Sequence, residues 1–126
     1  MSAETPAGHT LAACRAREIL DRIGSKWSLA VIGQLSEETK RFGQLRRGVH
    51  GISHRMLSVT LRDLERDGIV SRTSYPVLPA RVDYALTPLG HSLLDELGRL
   101  VNWAEDRIDE IDAARAAFDA RRPDLS

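Results

Sequence analysis

Apolar residues recur along most of this chain at a helical spacing, broken once by a stretch of alternation. From Leu11 to Ile23, Leu11, Ala12, Ile19, Leu20 and Ile23 share one helical face, and Gly24 ends the run. Ser25 is suited to cap a second helix, in which Trp27, Ala30, Val31 and Leu35 recur at helical spacing. Glu37-Glu38-Thr39 reads as a polar turn. Phe42 and Leu45 then fall on a short helix that Gly48 interrupts. Ser53 opens a fourth helix as its N-cap, with Leu57, Leu61 and Leu64 forming an i, i+4, i+7 stripe and Gly68 supplying a left-handed stop. Residues 69–75 and 82–86 alternate as the two strands of a hairpin whose tip is the loop 76–81. Thr87 before Pro88 is a strong helix start, and a single last helix is expected from Pro88 to about Phe118.

A short helix, a glycine turn, a Ser-capped helix and a two-stranded ribbon, in that order, predict a winged helix-turn-helix. The fold class is mainly α with a small β-hairpin, and the first and last helices are expected to serve dimerisation. The winged domain with its terminal helices is assigned to residues 10–120, between flexible tails at 1–9 and 121–126. Leu93, Leu97, Leu100, Val101, Ile108 and Ile111 continue an apolar stripe beyond what so small a winged body covers, so they are candidates for the dimer interface, together with Leu11 on the first helix and Trp103.

Composition changes the picture only through its distribution. Lys plus Arg equals Asp plus Glu, 18 of each, and the formal net charge is zero. Residues 40–72 nevertheless carry eight Lys/Arg against three acids, while residues 95–126 carry nine acids against five arginines. A basic middle and an acidic end fit a protein that offers one face to phosphate. No apolar run is long enough for a membrane span and no secretory leader pattern opens the chain, so a cytoplasmic location is expected. A lone cysteine, Cys14, fits a reducing compartment.

With its leucine stripe buried, the fourth helix leaves His54, Arg55, Ser58, Val59, Arg62 and Arg66 toward solvent. A recognition helix reads base edges from its N-terminal end. Arg55 can present two parallel donors to guanine, His54 and Ser58 can bond base edges or phosphate, and Val59 can touch a thymine methyl. Ser53 with its neighbouring amides is both a cap and a ready phosphate site. Arg41, Arg46 and Arg47 can clamp backbone phosphates, which positions the protein without reading sequence. Arg81, placed at the wing tip, has two readings, a DNA contact or a salt bridge with Asp83 or the acidic tail. Trp27 and Trp103 read as core or interface anchors. No phosphate-cradling glycine loop, nucleophile motif or metal-ligand spacing is present, so no enzyme activity, metal or cofactor is expected. Cys14 stands in the first turn of the first helix beside Arg15 and Arg17, a setting that favours thiolate; the bland alternative is a small buried hydrophobe.

These motifs resemble the HxlR-type transcriptional regulators, a bacterial branch of the MarR-like winged-helix proteins. The resemblance runs from Cys14 to about Trp103. It is carried by Ile23-Gly24-Ser25-Lys26-Trp27, Arg41-Phe42-Gly43-Gln44-Leu45, Gly51-Ile52-Ser53-His54-Arg55-Met56-Leu57, Leu61 to Arg72, Tyr75-Pro76, Pro79, Arg81-Val82-Asp83-Tyr84, Leu86-Thr87 and Gly90. Ser25, Ala80 and Arg15 depart from the family's usual glycine, proline and proline. The resemblance implies a homodimer, built from the first and last helices, on a palindromic double-stranded operator. It also implies a cysteine in the place of Cys14, which several members use to sense electrophiles, quinones or oxidants. The resulting expectation is a dimeric repressor. Its effector is either an oxidant or electrophile at Cys14, or a small ligand in the apolar space between the dimer helices and the winged domain. A winged-helix module that binds proteins and not DNA is the alternative.

Overall fold

The computed structural model describes residues 11–121, and the tails expected at 1–9 and beyond Arg121 lie outside them. The elements run α1 (Leu11–Ile23), α2 (Lys26–Gln34), β1 (Lys40–Arg41), α3 (Phe42–Gly48), α4 (His54–Arg66), β2 (Val70–Tyr75), β3 (Arg81–Leu86), α5 (Pro88–Asp106) and α6 (Ile108–Arg121). They fall into two compact units, one through His91 and one from Ser92 onward.

The first unit is a winged helix-turn-helix. Its core is Val31, Ile32 and Leu35 from α2 and its end, Leu45 from α3, the Leu57–Leu61–Leu64 stripe of α4, and Ile69, Val70 and Leu86 from the wing, all buried. The caps form as their residues dictate. Ser25 Oγ accepts from the Ser28 amide at 3.1 Å, and Ser53 Oγ from the Met56 amide at 3.0 Å, each satisfying an orphan donor of the first turn. Gly68 follows α4 at φ 79°, and Gly51 in the turn before it has φ 83°, a region costly to side chains with a Cβ. Arg22 near the end of α1 donates to Asp67, the C-cap of α4, at 2.9 and 3.4 Å, which ties the first helix to the end of the fourth.

The wing is a three-stranded antiparallel sheet, ordered β1-β3-β2, and not a two-stranded ribbon. β1 pairs Lys40 with Tyr84 and Arg41 with Asp83. Two residues are too few for alternation to register, so the polar stretch before Phe42 conceals the strand. Arg81 is also not at the wing tip. It is the first residue of β3, directly across from Tyr75, and the tip is residues 76–80.

Thr87 closes the wing onto the next helix. Its amide donates to the Ile69 carbonyl at 3.0 Å, and its hydroxyl accepts from the Gly90 amide at 3.0 Å. This brings α5 so near the α4–β2 turn that a Cβ on Gly90 would run into the Ile69 carbonyl oxygen and press on Leu86. Gly90→Ala is therefore expected to destabilise the fold by about 1–3 kcal/mol, the usual penalty of overpacking. A fall in the thermal midpoint would show it, and an unchanged midpoint would mean that the helix can shift without cost.

α1 forms where expected, but the structure buries only Ile23 of its apolar face, leaving Leu11 at 77 % and Leu20 at 61 % exposure. The second unit holds the rest of α5 and α6. The single long helix expected after Pro88 is two, because the apolar recurrence lapses over Glu105-Asp106-Arg107. There the Arg107 amide donates to Ala104, three residues back, at 3.1 Å, and the ladder resumes with Ile111 donating to Arg107 at 2.9 Å. Asp109 and Glu110 fall in the first turn of α6, where acids suit the positive end of a helix. Of the interface candidates, Leu93, Leu97 and Ile111 are half-buried, while Leu11, Leu100, Val101, Trp103 and Ile108 are exposed. None of the described helices is long and apolar enough to cross a membrane.

Candidate nucleic-acid interface

α4 has one apolar and one polar side, and packing decides which is which. The stripe Leu57, Leu61, Leu64, together with Thr60, is buried. His54, Arg55, Val59, Arg62 and Arg66 are exposed, and Ser58 is half-buried. The capped first turn presents Arg55 to solvent, whereas His54 is engaged: its ring lies 4.7 Å from that of Phe42, tilted by 48°. This aromatic contact joins the start of α3 to the start of α4 and fixes the imidazole's direction.

The phosphate-clamp candidates lie on and beside α3. Arg41 is both the last residue of β1 and the N-cap of α3, and its amide donates to Gln44 Oε1 at 2.9 Å. Arg41 and Arg47 come together around a surface depression of about 470 Å³ completed by Gly43 and Gln44. Arg46 and Arg47 occupy the last turn of α3, where cations complement the helix's negative end.

In the chain without DNA, Arg81 forms a salt bridge with Asp83. Its guanidinium donates to both oxygens of Asp83 at 3.2 Å and lies 5.1 Å from the centre of the Tyr75 ring. Those hydrogen bonds, aided by the charges of Arg81 and Arg41, hold the Asp83 carboxyl below its ordinary range against the opposing effect of burial. The same bonds raise the Arg81 guanidinium above its ordinary value.

Two neighbours of this surface were not among the sequence candidates. Arg72 on β2 and Tyr84 on β3 are cross-strand partners, and with Ser58, Leu61, Arg62 and Glu65 of α4 they line a cleft of about 220 Å³ between helix and wing. Arg72 counted toward the basic middle of the chain, but only the register of the hairpin reveals that it faces α4. Cys14 lies in the first turn of α1, and its side chain is exposed in the single chain. Among the described residues no three His, Cys, Asp or Glu side chains gather as a metal site.

Comparison with known proteins converges on one family. The model of the HxlR-like helix-turn-helix family matches residues 22–112. The HTH-type transcriptional regulator YtfH of Escherichia coli K12 is 40 % identical over 102 residues, 81 % of each chain. A MarR-family transcriptional regulator from Enterococcus faecalis V583 superposes with a TM-score of 0.73 at 38 % identity, covering 86 % of this chain and 99 % of that one. The redox regulator HypR in its reduced form superposes with a TM-score of 0.69 at 35 % identity, over 79 % of this chain and 98 % of that one. Winged helix, basic helix face and relatives agree, and the chain belongs to the HxlR-like helix-turn-helix family of DNA-binding transcriptional regulators, which are not enzymes.

Proposed function

We propose that the protein is a homodimeric repressor that occupies a palindromic operator and leaves it when Cys14 is modified by an oxidant or electrophile. The observation that carries the DNA reading is the exposed face of α4, where Arg55, Val59 and Arg62 stand on a helix fixed by its leucine stripe and its Ser53 cap. In this reading the first turn of α4 reads base edges in the major groove, and Arg41, Arg46 and Arg47 hold flanking phosphates. The exposed apolar residues of α1, α5 and α6 are the dimer surface. A two-fold axis then sets two recognition helices against successive major grooves.

The effector part of the reading draws on HypR, a redox regulator of similar structure, and on the exposed position of Cys14 in the first turn of α1. A thiolate there can take an electrophile, form a mixed disulfide with a small thiol, or form a disulfide with the second copy's Cys14. The disulfide between copies needs the two α carbons within about 7 Å. Any of these changes how α1 packs, and a shift of a few kcal/mol between two arrangements suffices to empty an operator.

Gel shifts test both parts. Native protein and Cys14→Ser are each titrated against an operator selected from random duplexes, at low and moderate salt, before and after diamide and then with added thiol. The expected result is salt-sensitive binding by both proteins, lost on diamide only in the native one and restored by thiol. If both proteins respond alike, or neither does, Cys14 has no switching role and a non-covalent ligand is the effector. Absence of binding at either salt defeats the repressor reading itself.

A further inference from the structure

One face of the wing gathers its charges around a single carboxylate. β3 is the central strand, so Asp83 lies across from Arg41 on β1 and from Thr73 on β2. Arg81, two residues earlier, shares that face by the alternation of a strand. It grips both carboxylate oxygens at 3.2 Å while Arg41 Nε stands 4.0 Å from Oδ1. The Asp83 side chain is only 12 % exposed, whereas those of Arg81 and Arg41 are 46 % and 57 % exposed. A sunken anion thus holds two cations that stay open to solvent.

A carboxylate that receives two parallel guanidinium donors occupies the place a phosphate would take. We propose that Asp83 is a specificity-determining residue that stands in for a DNA phosphate in the unbound protein, occupying Arg81 and Arg41 so that they turn to the DNA backbone only on the operator. This rests on the DNA reading above and adds a residue that does not itself touch DNA. Arginine–phosphate contacts carry affinity without sequence information, so an uncommitted arginine strengthens binding to every duplex. A loosely docked complex on random DNA gains too little from one phosphate to break the bidentate pair. A closely docked operator complex, with base contacts already made, holds its phosphates at fixed positions and gains enough. Specificity is a difference of affinities, and here it is widened by weakening the wrong complex.

The test compares native protein, Asp83→Asn, Arg81→Gln and the double variant on a random-sequence duplex and on a selected operator, between about 50 and 200 mM salt. Asparagine keeps the shape of the side chain and removes the charge. Asp83→Asn is expected to bind the random duplex several-fold more tightly at low salt, with a log–log salt slope steeper by about one for each arginine released. Operator binding rises less, so the ratio between the two falls. The double variant returns toward native behaviour on random DNA, since most of the gain runs through Arg81. Arg81→Gln alone is expected to leave random binding and its slope unchanged while flattening the operator slope by about one, and this arm serves if Asp83→Asn does not fold. Native affinity and slope for a folded Asp83→Asn on random DNA would overturn the inference, as would equal losses on both duplexes or a flatter random slope for Arg81→Gln. Those results leave the DNA reading standing. Failure of the native protein to bind either duplex sinks both.

Discussion

Replacing Leu97 and Val101 with aspartate is expected to yield a monomer that has lost operator binding by two orders of magnitude or more. Within the second unit the remainder of α5 presents Leu100 at 63 %, Val101 at 54 % and Trp103 at 51 % exposure, and α6 adds Ile108 at 52 % and Phe118 at 48 %. Several large exposed apolar residues on two helices of a small protein mark an interaction site, and the proposed second copy of the chain is the occupant that would give two recognition helices. Two carboxylates in such a seam would have to be desolvated without partners, which opposes association strongly. The DNA consequence follows from linkage of the two half-sites. Once one helix is seated, the other binds at an effective concentration near the millimolar range, and a monomer forfeits that gain entirely. Sedimentation and gel shifts of the double variant read both effects. A native chain that sediments as a well-folded monomer would refute the dimer, and a monomeric variant that still holds the full operator would show that one winged domain suffices.

Arg55→Ala is the second large effect expected. Arg55 sits in the first turn of α4, exposed, while its neighbour His54 rests against Phe42. The first turn is where a recognition helix meets base edges, and a bidentate arginine–guanine contact is worth about 1–3 kcal/mol of discrimination. The expected outcome is a loss of about 5- to 150-fold per half-site on the operator, with relaxed preference at one base position and a much smaller loss on scrambled DNA. Equal losses on the two duplexes would make Arg55 a phosphate contact and move base reading to Ser58 or Arg62.

What could be read in the sequence was whatever depends on a few neighbouring residues. Ser53, the leucine stripe and Gly68 define α4 by local chemistry, and the structure returns that helix with its cap and its buried face. Thr87-Pro88 located the start of α5 for the same reason. The parts that escaped depend on pairing across distance. β1 has two residues and exists because Tyr84 and Asp83 are there to pair with it. Arg72 joins the cleft beside α4 only through the hairpin register, and Asp83 becomes a hub only because β3 is central. The break at Arg107 was easily passed over for another reason: the apolar recurrence lapses for only three residues, and no proline or glycine marks the spot.

The short strand β1 also bears on how such a protein can diverge. Because Arg41 is both the end of β1 and the cap of α3, the base of the wing is fastened to the helix-turn-helix by its own backbone ladder. The tip, residues 76–80, lies outside every strand pairing. Insertions or deletions there leave the register at the base untouched, so the length of the wing is open to change while the attitude of α4 is inherited intact. If the proposed DNA reading holds and the wing meets DNA beside the groove, new flanks would be accessible by altering one loop, without rebuilding α4.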